Sequence, residues 1–173
     1  LNQDGSVQLM LGATEIGQGA DTVFTQMAAE TTGISVDRVY INSTQDTDVT
    51  PFDTGAYASR QTYVSGMACK KCALEFRQKV LEYAAYMLNH DVTDLSKTVY
   101  ADLVKEAAGK VRQVLGLHAE EEITWEMLDI ADSQVVVNGG DPVLFDVAGG
   151  GGTTVFFFYR PFPITTEGTK QSK

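Results

Sequence analysis

The sequence holds little that could bind a metal directly. It offers two cysteines and two histidines, and these do not gather. Cys69 and Cys72 form a Cys-x-x-Cys within a helical pattern, which reads either as a redox pair or half of a zinc site, or as two reduced, partly packed helical thiols. No second cysteine pair exists and neither His90 nor His118 stands at ligand spacing from the first, so the plainer reading is preferred. Basic charge is scarce too. The formal net charge is -10 and the isoelectric point near 4.5, which excludes nucleic acid, whose phosphates require a basic face. No long apolar run is present, and no basic start leads into an apolar core, so neither a spanning helix nor a secretory signal is legible. A cytoplasmic, soluble chain is expected.

What is present suits one core: 173 residues, 43% of them apolar, are enough for a single domain or a lobe of something larger. Leu1 already lies in sequence that looks like the approach to a strand, so a fragment of a longer protein is expected. Ser6 to Ala13 alternates as a half-buried strand, and Gly17-Gln18-Gly19 then lets the chain reverse sharply. A helix follows from Ala20, with Asp21 or a neighbour as its cap, Val23, Met27 and Ala28 at helical spacing, and Gly33 as its C′ residue. Ile34 to Asn42 is a second strand. The resulting strand, helix and strand form a small α/β unit.

From Ser43 to about Tyr63 neither period persists, yet Asp46, Asp48, Asp53 and their threonine neighbours favour Asx-type turns, the mark of an ordered binding loop. A long helix is expected from Thr62 to about Leu88, with Val64, Ala68, Cys72, Phe76, Val80, Ala84 and Leu88 near one stripe. Residues 98 to 116 predict another helix, interrupted or bent at Gly109. Glu120 to Asp129 adds a helical turn or two. Ser133–Val137 and Pro142–Val147 read as a hairpin around Asn138-Gly139-Gly140-Asp141. Four glycines at 149–152, a short aromatic strand at 155–159 and a tail expected to be disordered complete the chain.

Two loops therefore lead into helix starts, where backbone donors suit an anionic ligand. Gly17-Gln18-Gly19 is a weak signal alone and is not the dinucleotide fingerprint, for no third glycine follows at the right place and no acidic residue closes the next strand. Its context strengthens it: a strand before, a helix after, and an amide side chain that both donates and accepts. Tyr57-Ala58-Ser59-Arg60 offers either a plain loop with a surface arginine, or small residues and a charge closing on a bulky anion.

The combination is more specific than its parts. Gly12-Ala13-Thr14-Glu15-Ile16-Gly17-Gln18-Gly19-Ala20-Asp21-Thr22, the following Gln26, Ala28, Ala29 and Glu30, then Asp46-Thr47-Asp48 through Pro51 to Gly55, Tyr57-Ala58-Ser59-Arg60, Thr62 and Gly66 closely resemble the molybdenum-binding subunit of the xanthine dehydrogenase and aldehyde oxidase family. Large subunits of carbon monoxide dehydrogenase and hydroxybenzoyl-CoA reductase share the pattern. The resemblance covers about residues 4 to 90. Beyond them the chain departs: the helical segment near 98–116 intrudes before Glu126–Val137, which looks like the strand this family places after its long helix, and the glycine run is foreign.

That resemblance implies an α+β fold, a mixed sheet packed against two or three helices, forming a lobe of the molybdopterin-binding domain of molybdenum hydroxylases over residues 1–148, with 149–173 as linker and tail. It implies a molybdopterin-type cofactor, its cytosine dinucleotide form left open, touched by Gly17, Gln18, Gly19 and Thr22 and cradled by Tyr57, Ala58, Ser59, Arg60, Gln61 and Thr62. Ala58 would lie against the molybdenum, where only a small side chain leaves room. The dithiolene holds the metal, so the poor stock of Cys and His is no obstacle. The implied reaction is hydroxylation of a purine or aldehyde with water as oxygen donor, electrons leaving through iron-sulfur clusters and FAD on other domains or subunits. Implied partners are the remaining molybdenum-subunit domains, the iron-sulfur and flavin subunits and a small-molecule substrate, with no membrane. The family's catalytic glutamate, in a Gly-Glu motif, has no counterpart here, and neither Glu15 nor Glu30 takes that role. The isolated chain is expected to be inactive. Two rivals stand beside this reading: a non-catalytic binding or scaffold domain that keeps the fold without the cofactor, and a nucleotide-phosphate binder, which lacks a well-placed lysine or magnesium carboxylate.

Overall fold

The computed structural model describes residues 1–2, 5–42, 46–90, 100–138 and 142–146. Strand β1, Val7–Met10, pairs in parallel with β2, Val39–Asn42, in a register that sets Val7 opposite Val39 and Met10 opposite Asn42. Parallel neighbours require a crossover, and helix α1, Ala20–Thr32, supplies it. A 3₁₀ turn at Val36–Arg38 occupies the start of the segment expected to be strand, so β2 is short. At the end of α1, Gly33 takes a φ of 79° and donates its N–H to Ala29 O at 2.9 Å, the left-handed cap that its sequence position predicts.

Helix α2, Gly66–Asn89, is entered through a π-helical turn at Gln61–Ser65. Its last turns bury Val80, Ala84 and Leu88 as expected, whereas the π turn and the first turns of α2 bury Ser65, Cys69 and Ala73 and leave Val64, Ala68 and Cys72 exposed. Residues repeating strictly every four positions drift by about 40° per step around a helix of 3.6 residues per turn, so one such stripe cannot stay on the core. Helices α1 and α2 pack on each other around Phe24, which is fully buried.

Helix α3, Tyr100–Leu115, runs unbroken through Gly109, because its buried residues Val104, Ala107, Ala108 and Val111 share one face and Gly109 lies on the other. The helical turns expected between Glu120 and Asp129 reduce to one 3₁₀ turn, Trp125–Met127. Ile123 is instead held extended by Asn89, whose Oδ1 accepts from Ile123 N at 2.9 Å and whose Nδ2 donates to Ile123 O at 2.7 Å. Strands β3, Leu128–Ala131, β4, Gln134–Val137, and β5, Pro142–Asp146, form an antiparallel sheet in that order. The single strand expected over Glu126–Val137 is thus a hairpin, folded at Asp132 and Ser133 with φ of 48° and 65°. The hairpin expected between Val137 and Pro142 is present as β4 and β5.

The class is α+β, with the parallel and antiparallel pairings divided between two sheets. The glycine run, the aromatic strand expected at 155–159 and the tail lie outside the described residues. Among the described residues no helix is long and apolar enough to cross a membrane, and no cluster of three or more His, Cys, Asp or Glu forms a metal site.

Candidate functional site

The two loops singled out in the sequence meet. Gln18, from the turn before α1, and Tyr57, Ala58, Ser59, Arg60, Gln61 and Thr62, from the loop before α2, line one open cavity of about 310 Å³. Ala20, Val23 and Phe24 of α1 add an apolar floor, and Ile16 and Ala56 complete the rim. Gly17, Gly19 and Thr22 contribute no wall to it; Thr22 is exposed on the first turn of α1.

The first loop is shaped by Glu15, not by Asp21. Gly17 and Gly19 take φ of 93° and 78°, which turns their amides inward, and the Glu15 carboxylate accepts from Gly17 N at 2.6 Å, Gly19 N at 3.1 Å and Asp21 N at 3.1 Å. A carboxylate there satisfies the orphan donors and the positive end of the helix dipole. Hydrogen bonds from the backbone, Asp21 foremost, hold its pKa below the ordinary value. The donors expected to face an outside anion are therefore engaged within the chain.

The second loop is packed and tied. An ideal Cβ at Gly12 would sit 1.9 Å from Pro51 O, so only glycine lets this loop lie on the end of β1. Asx geometry appears at two of the three expected aspartates: Asp46 Oδ1 accepts from Asp48 N at 3.0 Å and Asp53 Oδ1 from Gly55 N at 2.8 Å. Asp53 Oδ2 also accepts from Ser65 Oγ at 2.9 Å, which anchors the loop to the π turn. Ala58 and Ser59 both have positive φ, 49° and 58°, and Arg60 N donates back to Tyr57 O at 2.9 Å. Such a pair of left-handed residues without glycine is strained, and strain of this kind collects at binding sites.

Arg60 is fixed from behind. Its Nε donates to Thr54 Oγ1 at 2.7 Å and its Nη2 stands 3.9 Å from Asp53 Oδ2. Its Nη1 is buried and has no partner among the described residues. Small side chains at 56, 58 and 59, an apolar floor and a guanidinium with a free buried N–H suit a bulky, partly planar anionic group. Sequence reasoning anticipated the Asx turn at Asp53 but not its tie to Ser65, and missed the structural part of Glu15. The signal for Asp53 was its position two residues before Gly55; for Glu15 nothing local distinguished a capping carboxylate from a ligand-facing one.

Fold and cavity together define an α+β domain with an open, partly apolar cavity between two loops. The chain belongs to the molybdopterin cofactor-binding domain family, whose model matches residues 1–149. It is 55% identical over 96 residues to a xanthine dehydrogenase molybdenum-binding subunit of Escherichia coli O157:H7, a match spanning 56% of this chain and 13% of that protein. It is 30% identical over 125 residues to the carbon monoxide dehydrogenase large chain of Afipia carboxidovorans, spanning 72% of this chain and 15% of that one. A quinoline 2-oxidoreductase structure from Pseudomonas putida 86 aligns over 82% of this chain and 14% of that chain, with 23% identity and a TM-score of 0.49. The chain thus spans a small part of each relative's length.

Proposed function

We propose that this chain forms one wall of the cofactor site in a molybdenum hydroxylase of the xanthine dehydrogenase type, acting on a purine or aldehyde. The observation that carries this is the shared cavity: Gln18 and the run from Tyr57 to Thr62, separated by about forty residues of sequence, face the same space. When bound, the molybdopterin-type group supplies two-electron redox chemistry that inserts an oxygen atom from water into an activated C–H bond.

The chain's own residues bind and orient. Arg60 meets negative charge with its unpaired Nη1, and the Ser59 and Thr62 hydroxyls serve as donors or acceptors at the rim. Ala58, small and exposed in a left-handed turn, leaves room where the metal would sit. The shape of the first loop comes from Gly17 and Gly19, and Thr22 stands beside it for contact with a larger cofactor form. Neither Glu15 nor Glu30 takes the part of general base; that group, the opposing half of the cradle, and the iron-sulfur and FAD centres belong to other domains or subunits of a cytoplasmic complex.

Elemental analysis of the parent complex is expected to find molybdenum, with pterin fluorescence after denaturation; absence of both favours the scaffold reading. Acid release of cytidine monophosphate distinguishes the cytosine dinucleotide form. In the intact enzyme Ala58→Leu is expected to abolish turnover and leave circular dichroism and melting unchanged, since leucine at this exposed turn fills the cavity without touching the core; retained activity would place Ala58 away from the metal.

A further inference from the structure

We infer that Gln61 is a positioning residue, a buried cross-brace that sets the width of the cavity by holding Gln18, and that this is its part instead of direct contact with the cofactor. The inference rests on the cofactor site proposed above. Gln61 is buried at the first position of the π turn. Its Nε2 donates to Thr14 O at 2.9 Å, 47 residues away in sequence, and its Oε1 accepts from Gln18 Nε2. Gln18 Nε2 also donates to Thr14 O at 3.0 Å, and Gln18 Oε1 accepts from Ile16 N at 2.6 Å.

The orientation of both amides is forced. A carbonyl only accepts, so each glutamine must turn its nitrogen towards Thr14 O; a backbone N–H only donates, so Gln18 must turn its oxygen towards Ile16. Gln61 is left with its oxygen for Gln18, and every link in the square is complementary. Each end of the Gln61 amide thus has a partner inside the protein, Thr14 O for its nitrogen and Gln18 Nε2 for its oxygen, and these ties fix its head across the two loops. Without it, the second loop keeps its tie to the π turn through Asp53 and Ser65, but the two hydrogen bonds that Gln61 makes across to the first loop are lost, and Gln18 keeps only its ties within its own loop, to Thr14 O and Ile16 N.

The test uses the parent molybdenum complex with Gln61→Met and Gln61→Glu, scored by molybdenum and pterin retained after gel filtration and by melting temperature. Met has the length of Gln without its polar head, so retention is expected to fall roughly tenfold, the factor that the loss of two part-buried hydrogen bonds between the loops would produce. A Glu carboxylate still accepts from Gln18 but faces Thr14 O with no proton to donate; protonated, it donates to Thr14 O and accepts from Gln18. Retention in Gln61→Glu is therefore expected to be low at pH 8 and to recover towards wild type near pH 5, a profile that loss of packing does not produce. The charged groups around it, Glu15 on the first loop and Asp53 and Arg60 on the second, are common to the wild type, whose own profile is subtracted. Full retention in Gln61→Met, or a Gln61→Glu profile parallel to wild type, overturns the inference while a loaded wild type leaves the cofactor assignment standing. A wild-type complex empty of molybdenum and pterin overturns both.

Discussion

Glu15 shows at the scale of one residue how the chain answers its own electrostatics. Its carboxylate accepts from three amides at the start of α1, and its pKa is depressed in the fold. A depressed carboxylate contributes stability that is present above its unfolded pKa and is lost as pH falls through the folded one. Glu15→Gln is therefore expected to melt lower than wild type at neutral pH, with the gap narrowing as pH falls below the ordinary glutamate range and the wild-type carboxylate protonates; thermal scans across the acidic range measure it. A gap that does not narrow on acidification contradicts the capping role. The cysteines make a second residue-scale pair. Burial, with a smaller contribution from Cys72, pushes the Cys69 thiol up to about 11, while Cys72 is exposed. Since the thiolate is the nucleophile, alkylation of the folded chain followed by peptide mapping is expected to label Cys72 and spare Cys69 until the chain unfolds.

Among the elements, two turns share an unusual conformation and differ in purpose. Ala58–Ser59 and Asp132–Ser133 both place consecutive residues without glycine at positive φ. The second pair closes the β3–β4 hairpin and is stitched in: Ser133 N donates to Gly33 O at 3.0 Å and Ser133 Oγ accepts from Ser35 N at 2.8 Å. The first pair is exposed on the cavity wall. Ser133→Ala is expected to cost about 1–2 kcal/mol by stranding the Ser35 amide, and Ser133→Gly to cost less because glycine relieves the left-handed backbone. Denaturant titration of the two variants checks the order; equal losses would mean that the hydroxyl, not the φ, dominates.

These elements also mark what was legible. The turn at Gly17–Gly19, the αL end at Gly33 and the Asx turns at Asp46 and Asp53 are local events whose residue types announce them, and the resemblance joined the two loops to one ligand. Asp132-Ser133 lacks the usual asparagine and glycine of a two-residue hairpin, so the chain read as one strand through it. Ile123 kept a helical look because its true backbone partner, the Asn89 side chain, comes from 34 positions earlier. The Gln18–Gln61 brace was invisible for the same reason: its complementarity exists only after the loops have met.

Across the whole molecule, the α/β unit and the antiparallel sheet are one body because α1 and α2 both touch the hairpin. Arg77 of α2 pairs with Asp129 of β3, and the backbone of Gly33 lies directly against Ile130, with the carbonyl oxygen 1.9 Å from where a Cβ would stand. Gly33→Ala must both adopt positive φ and displace a strand, so a loss of about 3 kcal/mol or more is expected by chemical denaturation. Wild-type stability in that variant would mean that the strand yields freely.

Helix α1 carries the Gln18 turn at one end and rests on that strand at the other, about 20 Å away at 1.5 Å per residue. It works as a beam propped on the hairpin. A small tilt at the far support swings the floor formed by Val23 and Phe24 relative to the opposite loop, so damage to β3, remote from any bound group, would reach the cavity as misalignment.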